Sequence, residues 1–80
     1  MLMPAKHIGF SQSLLGFGGF LLTKLDTPKS IDHLWETYLA DYKKGLISAR
    51  HSFDSLVLTV IFLHAIEAVK EENGEVMKCA

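Results

Sequence analysis

The 80-residue sequence predicts a mainly α-helical domain that ends in a small β-hairpin. Apolar residues recur at three- and four-residue spacing in three stretches, which is typical of helices with a buried face. A serine precedes the second and the third stretch, where its hydroxyl can cap the first turn of a helix. Near the C-terminus, Asn73-Gly74 is flanked by short apolar segments and predicts a tight hairpin turn, because both residues tolerate positive φ.

The composition fits one small folded domain. Hydrophobic residues make up 49% of the chain and aromatic residues 10%, which is too apolar for a disordered segment. We expect residues 1–80 to form a single domain, with residues 1–9 as an N-terminal tail and residues 68–79 as the hairpin. Eight Lys and Arg oppose nine Asp and Glu, so a net charge of -1 provides no positive field to attract nucleic acid.

The sequence favours a cytoplasmic protein. Its single cysteine, Cys79, cannot form an internal disulfide, which fits a reducing environment. The start of the chain is too short and too weakly basic for a secretory signal. Two apolar stretches, residues 7–23 and 55–66, are respectively too rich in Ser, Gln and Gly and too short to span a bilayer, which takes roughly 20 predominantly apolar residues. We therefore expect buried helices there and no membrane contact.

The first helix is predicted from Ser11 to Leu25, with Ser11 or Ser13 as its N-cap. Its leucines and Phe17 form a broad apolar face. Three glycines inside the stretch each cost up to about 1 kcal/mol relative to alanine. They predict either close packing against another helix or a local break. These glycines are Gly16, Gly18 and Gly19.

The second helix is predicted from Ile31 to about Lys44. A turn at residues 26–28 precedes it, Ser30 is the expected N-cap, and Asp32 lies in the first turn, where a negative charge interacts favourably with the helix dipole. Gly45 is the expected end signal. Its predicted core face comprises Ile31, Leu34, Trp35 and Tyr38.

The third helix is predicted to begin at Phe53, with Ser52 as its N-cap, and it is apolar on all sides. A helix of this kind has to be covered all round, but an 80-residue chain has little material left to cover a second face. A contiguous exposed apolar patch usually marks a protein interface. We therefore expect the second face to mediate formation of a homodimer or a complex with another protein. That face comprises Leu58, Ile61, Phe62 and Ala65.

Three helices followed by a hairpin is the order of a winged helix-turn-helix domain. Residues 27–35, 52–58 and 63–69, together with Asn73-Gly74, resemble a family of small bacterial proteins, the middle component, type six, of ABC-three-component systems. The resemblance covers about residues 10–76 and rests on apolar positions that determine the fold. It implies a winged-helix adaptor that connects an SMC-like ABC ATPase to an effector in a bacterial conflict or defence system.

The sequence lacks a recognisable catalytic, cofactor or metal site. Its four histidines do not stand at ligand spacing from one another, from Cys79 or from a carboxylate pair. The run from Gly16 to Gly19 lacks the preceding strand and the Lys-Ser/Thr ending of a phosphate-binding loop. The serines lack the setting of an activated nucleophile. We therefore predict a non-enzymatic protein without a cofactor or a metal.

The alternative is a DNA-binding transcriptional regulator. Its phosphate contacts would come from the local basic patch, Lys43, Lys44 and Arg50, together with the hairpin. In a DNA-reading winged helix, the third helix presents Arg, Lys, Asn or Gln to base edges. Between Phe53 and Val69 the sequence has none of these residue types. The sequence therefore favours protein interaction over reading of the double helix.

Overall fold

A computed structural model describes the backbone of residues 4–79 and the side chains of residues 14–79. The elements are three helices followed by two antiparallel strands, which confirms the predicted fold class and is compatible with a winged-helix-like arrangement. Their bounds are α1 Pro4–Thr23, α2 Ile31–Lys43, α3 Phe53–Ala65, β1 Val69–Glu72 and β2 Glu75–Lys78.

Helix α1 begins earlier than predicted. It starts at Pro4 instead of Ser11 and ends at Thr23, so residues 4–9, which were expected to form a tail, are helical. Residues 1–3 of the expected tail lie outside the described part of the chain. Proline is tolerated in the first turn, where its missing N–H would have no partner in the helix. Ser11 and Ser13 lie inside the helix, so the N-cap prediction for them was wrong.

Of the three glycines noted in the predicted first helix, one marks a close approach between helices. A Cβ atom at Gly18 would lie 3.1 Å from Leu63 Cδ2 and 3.7 Å from Thr59 Cγ2, both on α3. Gly16 and Gly19 face open space instead. The helix is continuous through all three positions. Close packing is therefore confirmed at Gly18, and α1 has no break.

Helices α2 and α3 begin at the predicted caps. The hydroxyl of Ser30 accepts a hydrogen bond from the backbone N–H of His33 at 3.1 Å. The hydroxyl of Ser52 accepts one from the N–H of Ser55, also at 3.1 Å. Each bond satisfies one of the N–H groups that have no partner within the first turn.

Helix α2 ends at its C-cap Lys44, and Gly45 follows directly. Gly45 adopts a φ of 77°, which glycine reaches at no steric cost. The N–H of Gly45 bonds to the carbonyl of Tyr42 at 3.1 Å, and the N–H of Leu46 bonds to the carbonyl of Asp41 at 3.0 Å. The turn leaves Leu46 at the exposed end of the helix.

The hairpin turns at Asn73 and Gly74, as predicted. Their φ angles of 56° and 79° are both positive, as a type I′ turn requires. The strands pair from Glu72 opposite Glu75 to Val69 opposite Lys78. A further bridge joins Val76 to Lys29 ahead of α2, with hydrogen bonds of 3.0 and 2.7 Å in the two directions. Strand β2 therefore lies between β1 and Lys29, a pairing that the sequence analysis did not predict.

The core draws on every element. Thr59 is fully buried and donates a hydrogen bond from its hydroxyl to the carbonyl of Ser55 at 2.7 Å. Buried Asp41 pairs with Lys24 at 2.6 Å and so links α2 to the segment that follows α1. The buried apolar side chains are Phe17, Leu21, Leu25, Leu34, Tyr38, Leu56, Leu63, Val69 and Val76.

Candidate protein-interaction surface

The outward side of α3 is apolar and uncovered. Leu58 is 51% exposed and Ile61 is 59% exposed, and Ala65 is also exposed one turn further on. These three residues are three and four positions apart, so they lie on one side of the helix. Phe62 was expected to be exposed with them, but it is half-buried because it packs against the core. The described chain therefore leaves a broad part of α3 in contact with solvent.

This exposed face continues into a groove of about 270 Å³ between α3 and the hairpin. Ile61 belongs to both the exposed face and the groove wall. The wall is mainly aliphatic, and Lys70 and Glu71 contribute its charged groups. We call Leu58, Ile61, Ala65 and this groove the α3–hairpin surface. The groove is lined by Ile31, Val60, Ile61, His64, Val69, Lys70, Glu71 and Val76.

Most of the groove was not predicted from the sequence. Val69 and Val76 belong to the short apolar segments that flank the predicted turn, and Ile31 was expected on the core face of α2. In the structure Ile31 is half-buried and forms one side of the groove. Strand pairing brings Val69 and Val76 to the same face of the hairpin. The valines of the hairpin were the available sequence signal for an apolar face on the hairpin. Their position beside α3 depends on the fold and could not be predicted from them.

The electrostatic character of the α3–hairpin surface does not suit a nucleic-acid backbone. Helix α3 carries the carboxylate of Asp54 in its first turn and no Lys or Arg. On the hairpin, the ammonium group of Lys70 lies 3.9 Å from the carboxylate of Glu72. Phosphate contacts to duplex DNA come largely from Lys and Arg, whereas the two strands carry three glutamates and two lysines. The surface offers apolar contact instead.

The basic patch lies elsewhere. Lys43 is the last residue of α2, Lys44 is its C-cap, and Arg50 lies in the connection to α3. All three side chains are exposed, and none forms an ion pair with a carboxylate among residues 14–79. Ile31 of the groove is at the other end of α2, about 18 Å away at 1.5 Å per residue. The fold therefore separates the basic patch from the α3–hairpin surface along the length of α2.

His51, next to the basic patch in sequence, belongs to the aromatic core. Its ring stacks on Phe17 with centroids 3.9 Å apart and planes inclined by 4°. Its backbone N–H donates to the hydroxyl of Tyr38 at 2.8 Å, and that hydroxyl donates to the carbonyl of Ala49 at 2.9 Å. Burial lowers the pKa of His51 below its usual value of 6.5. At neutral pH His51 therefore adds no charge to the basic patch.

Groups that could support metal or thiol chemistry do not come together in the described structure. No three His, Cys, Asp or Glu side chains within the described range are placed to hold a metal ion. Cys79 is exposed at the end of the hairpin. None of the helices in residues 4–79 combines the length and the apolar character needed to cross a bilayer.

The fold and the surface together define a winged-helix-like domain with an apolar, uncovered third helix. A family model described as "ABC-three component (ABC-3C) system Middle Component 6" matches residues 3–79. The chain therefore belongs to this family, which confirms the resemblance seen in the sequence. The searches of curated proteins and of solved structures gave no match.

Proposed function

We propose that this protein is a non-enzymatic adaptor that uses its α3–hairpin surface to bind a protein partner in an ABC-three-component system. The uncovered apolar side chains of Leu58 and Ile61, continuous with the groove, are the observation that carries the proposal. Membership of the middle-component family supports it, since a middle component acts together with other proteins. The partners proposed are an SMC-like ABC ATPase and an effector, in a bacterial conflict or defence system.

The energetics of the surface favour a protein partner. Fully burying a Leu or Ile side chain is worth about 1.5–3 kcal/mol relative to leaving it exposed. Leu58 and Ile61 retain about half of their surface in solvent, so each can contribute about 1 kcal/mol on binding. Exposed apolar patches of this kind, beside a preformed groove, usually mark protein interaction sites. A duplex would leave these groups without apolar contacts, except at thymine methyl groups.

Co-expression with the other two components of the system tests the proposal. The tagged chain is expected to purify with at least one of them, and the double variant Leu58→Glu, Ile61→Glu is expected to lose that partner. Two buried carboxylates without partners are strongly unfavourable in an apolar interface. Both substituted side chains are exposed in the free chain, so the variant should remain folded. Phe62→Asp is a poorer choice, because Phe62 packs against the core.

Leu15→Glu is the matched control, because Leu15 is an exposed leucine on a different helix, α1. It introduces one carboxylate, the change made at each of the two α3 positions, and is expected to retain the partner. Circular dichroism and thermal unfolding establish that both variants are folded. Equal recovery of the partner with wild type and with the double variant would place the interface elsewhere. Salt-dependent binding to duplex DNA that disappears on charge reversal of Lys43, Lys44 and Arg50 would instead support a transcriptional regulator.

A further inference from the structure

A second apolar strip follows one side of α2, and its members are exposed except for Trp35, which is half-buried against the core. Trp35, Leu39 and Tyr42 are four and three residues apart on the helix, and Leu46 lies beyond Gly45, where the chain has left the helix. Leu39 and Tyr42 are each 37% exposed and Leu46 is 69% exposed. Alternating spacings of four and three residues are those of a seam between two packed helices. We call these four residues the α2 stripe.

The described chain covers this stripe only in part, at Trp35. The residues that α2 buries against the rest of the domain are Leu34, Tyr38 and Asp41, on the adjoining side of the helix. Phe53 broadens the stripe, because its ring packs edge-to-face on Trp35 with centroids 5.8 Å apart and is itself exposed. The exposed large apolar side chains at α2 and its flanks are not among those that form the α3–hairpin surface.

The charges beside the stripe have a specific order. Glu36 follows Trp35, and Lys43 follows Tyr42, so both lie on the same side of the stripe and away from the core face. Both are exposed, and neither forms an ion pair with another side chain among residues 14–79. They are seven residues apart, which is about 10.5 Å along the helix. A negative and a positive charge therefore stand at the two ends of one side of the stripe.

This order is self-complementary under a two-fold axis. When α2 lies antiparallel to α2 of a second copy with Leu39 near the centre, Glu36 of each copy comes beside Lys43 of the other. In antiparallel helix pairs, residues at this position of the seven-residue repeat face one another across the seam, and opposite charges there set orientation and partner. A parallel arrangement would bring residues of like charge to the same level. We infer that two copies of this chain form an antiparallel homodimer through the α2 stripe.

The inference goes beyond the proposed adaptor function and does not depend on it. It concerns the purified chain alone, whereas the adaptor function concerns other components of the system. Leu58 and Ile61 are not part of the α2 stripe, so the two interfaces can be disrupted separately. Failure of either proposal leaves the measurement for the other unaffected.

Sedimentation equilibrium of the full chain tests the dimer. The wild type is expected to show a concentration-dependent dimer, and Leu39→Glu is expected to abolish it, because that side chain would meet its own counterpart at the two-fold axis. Glu36→Lys alone and Lys43→Glu alone each convert two attractive pairs into repulsive ones. Each should weaken dimerisation by about tenfold, the effect of a few exposed charge pairs. The double variant Glu36→Lys, Lys43→Glu restores both pairs and should return the dissociation constant to near the wild-type value.

The controls use the hairpin and α3. Glu75→Lys and Lys78→Glu make the same charge changes on exposed hairpin residues and should leave the dissociation constant unchanged. Leu58→Glu should also leave the dimer intact. The inference is wrong if the wild type remains monomeric at about 1 mM, the dissociation constant of a weak complex. It is equally wrong if the double charge reversal does not rescue the single variants, or if Leu58→Glu rather than Leu39→Glu breaks the dimer.

Discussion

Helices α2 and α3 start in the same way and end up with different outward surfaces. Each has 13 residues, follows a serine whose hydroxyl accepts an N–H at 3.1 Å, and carries an aspartate as its second residue. Each buries three residues. The remaining surface of α2 mixes charges with a narrow apolar stripe, whereas that of α3 is dominated by aliphatic side chains. Signals that start a helix therefore say nothing about what its outward side binds, and the composition of that side is the better guide to function.

The largest expected effect distinguishes the buried side of α3 from its outward side, at two leucines. Leu56 is fully buried and Leu58 is half exposed, two residues away. Leu56→Ala should lower the free energy of unfolding by about 2–5 kcal/mol, because it leaves a cavity in the core. Leu58→Ala should lower it by less than about 1 kcal/mol, as expected for a surface position. Urea unfolding of both variants measures the difference, and similar losses would mean that the outward face of α3 is buried in solution.

The hydroxyl of Tyr38 links α2 to the connection that leads to α3, and its removal measures what this link contributes to stability. It bonds to the carbonyl of Ala49 and to the N–H of His51. Tyr38→Phe keeps the ring in the core but leaves two backbone groups without this partner. We expect a loss of about 1–3 kcal/mol in the free energy of unfolding. A loss of this size in urea denaturation, without a change in helical content by circular dichroism, is the expected result, and an unchanged midpoint would contradict it.

The two serine caps should have equal effects. Ser30→Ala and Ser52→Ala each remove one side-chain acceptor from a first-turn N–H, and each should cost about 1 kcal/mol. Ser30→Asp and Ser52→Asp provide matched controls, because aspartate is also a good N-cap and should retain most of the stability. Thermal unfolding compares the pairs. Clearly unequal losses would show that the similar starts of α2 and α3 are not energetically equivalent.

The smallest expected effect is the pH dependence contributed by His51. Burial lowers its pKa from the usual 6.5 in the folded chain, so the unfolded chain binds a proton first as the pH falls below 6.5. Stability should therefore decrease with falling pH from that value down to the folded-state pKa. His51→Phe retains a ring beside Phe17 and removes the titration. Urea midpoints between about pH 7.5 and about pH 5.5 should fall less in this variant than in wild type, because this linkage is lost.

Local chemistry was sufficient to predict several elements of this fold. Ser30, Ser52, Gly45 and the Asn73-Gly74 turn act through hydrogen bonds and φ angles within a few residues, so their positions in the sequence reveal the ends of α2, the start of α3 and the hairpin. The start of α1 was misplaced because Ser11 and Ser13 can cap a helix but lie inside this one, which begins at Pro4.

The candidate surface was predictable only in part. That α3 is apolar on all sides follows from the order of its residues, and the exposure of Leu58 and Ile61 agrees with a chain too short to cover it. Phe62 packs against the core, because its position on the helix is next to the buried side. The apolar composition of α3 does not distinguish this position from those of Leu58 and Ile61. The groove required β1 to pack beside α3, which residue order alone does not specify.

Residue order thus determined the second and third helices, the turn and the excess of apolar side chains on α3, because each depends on neighbours along the chain. The bridge from Lys29 to Val76, the stack of His51 on Phe17 and the groove between α3 and the hairpin came only with folding. They join residues that are distant in sequence. The entropy lost in bringing such segments together is offset by burial of the core as a whole, so no local sequence signal predicts these contacts.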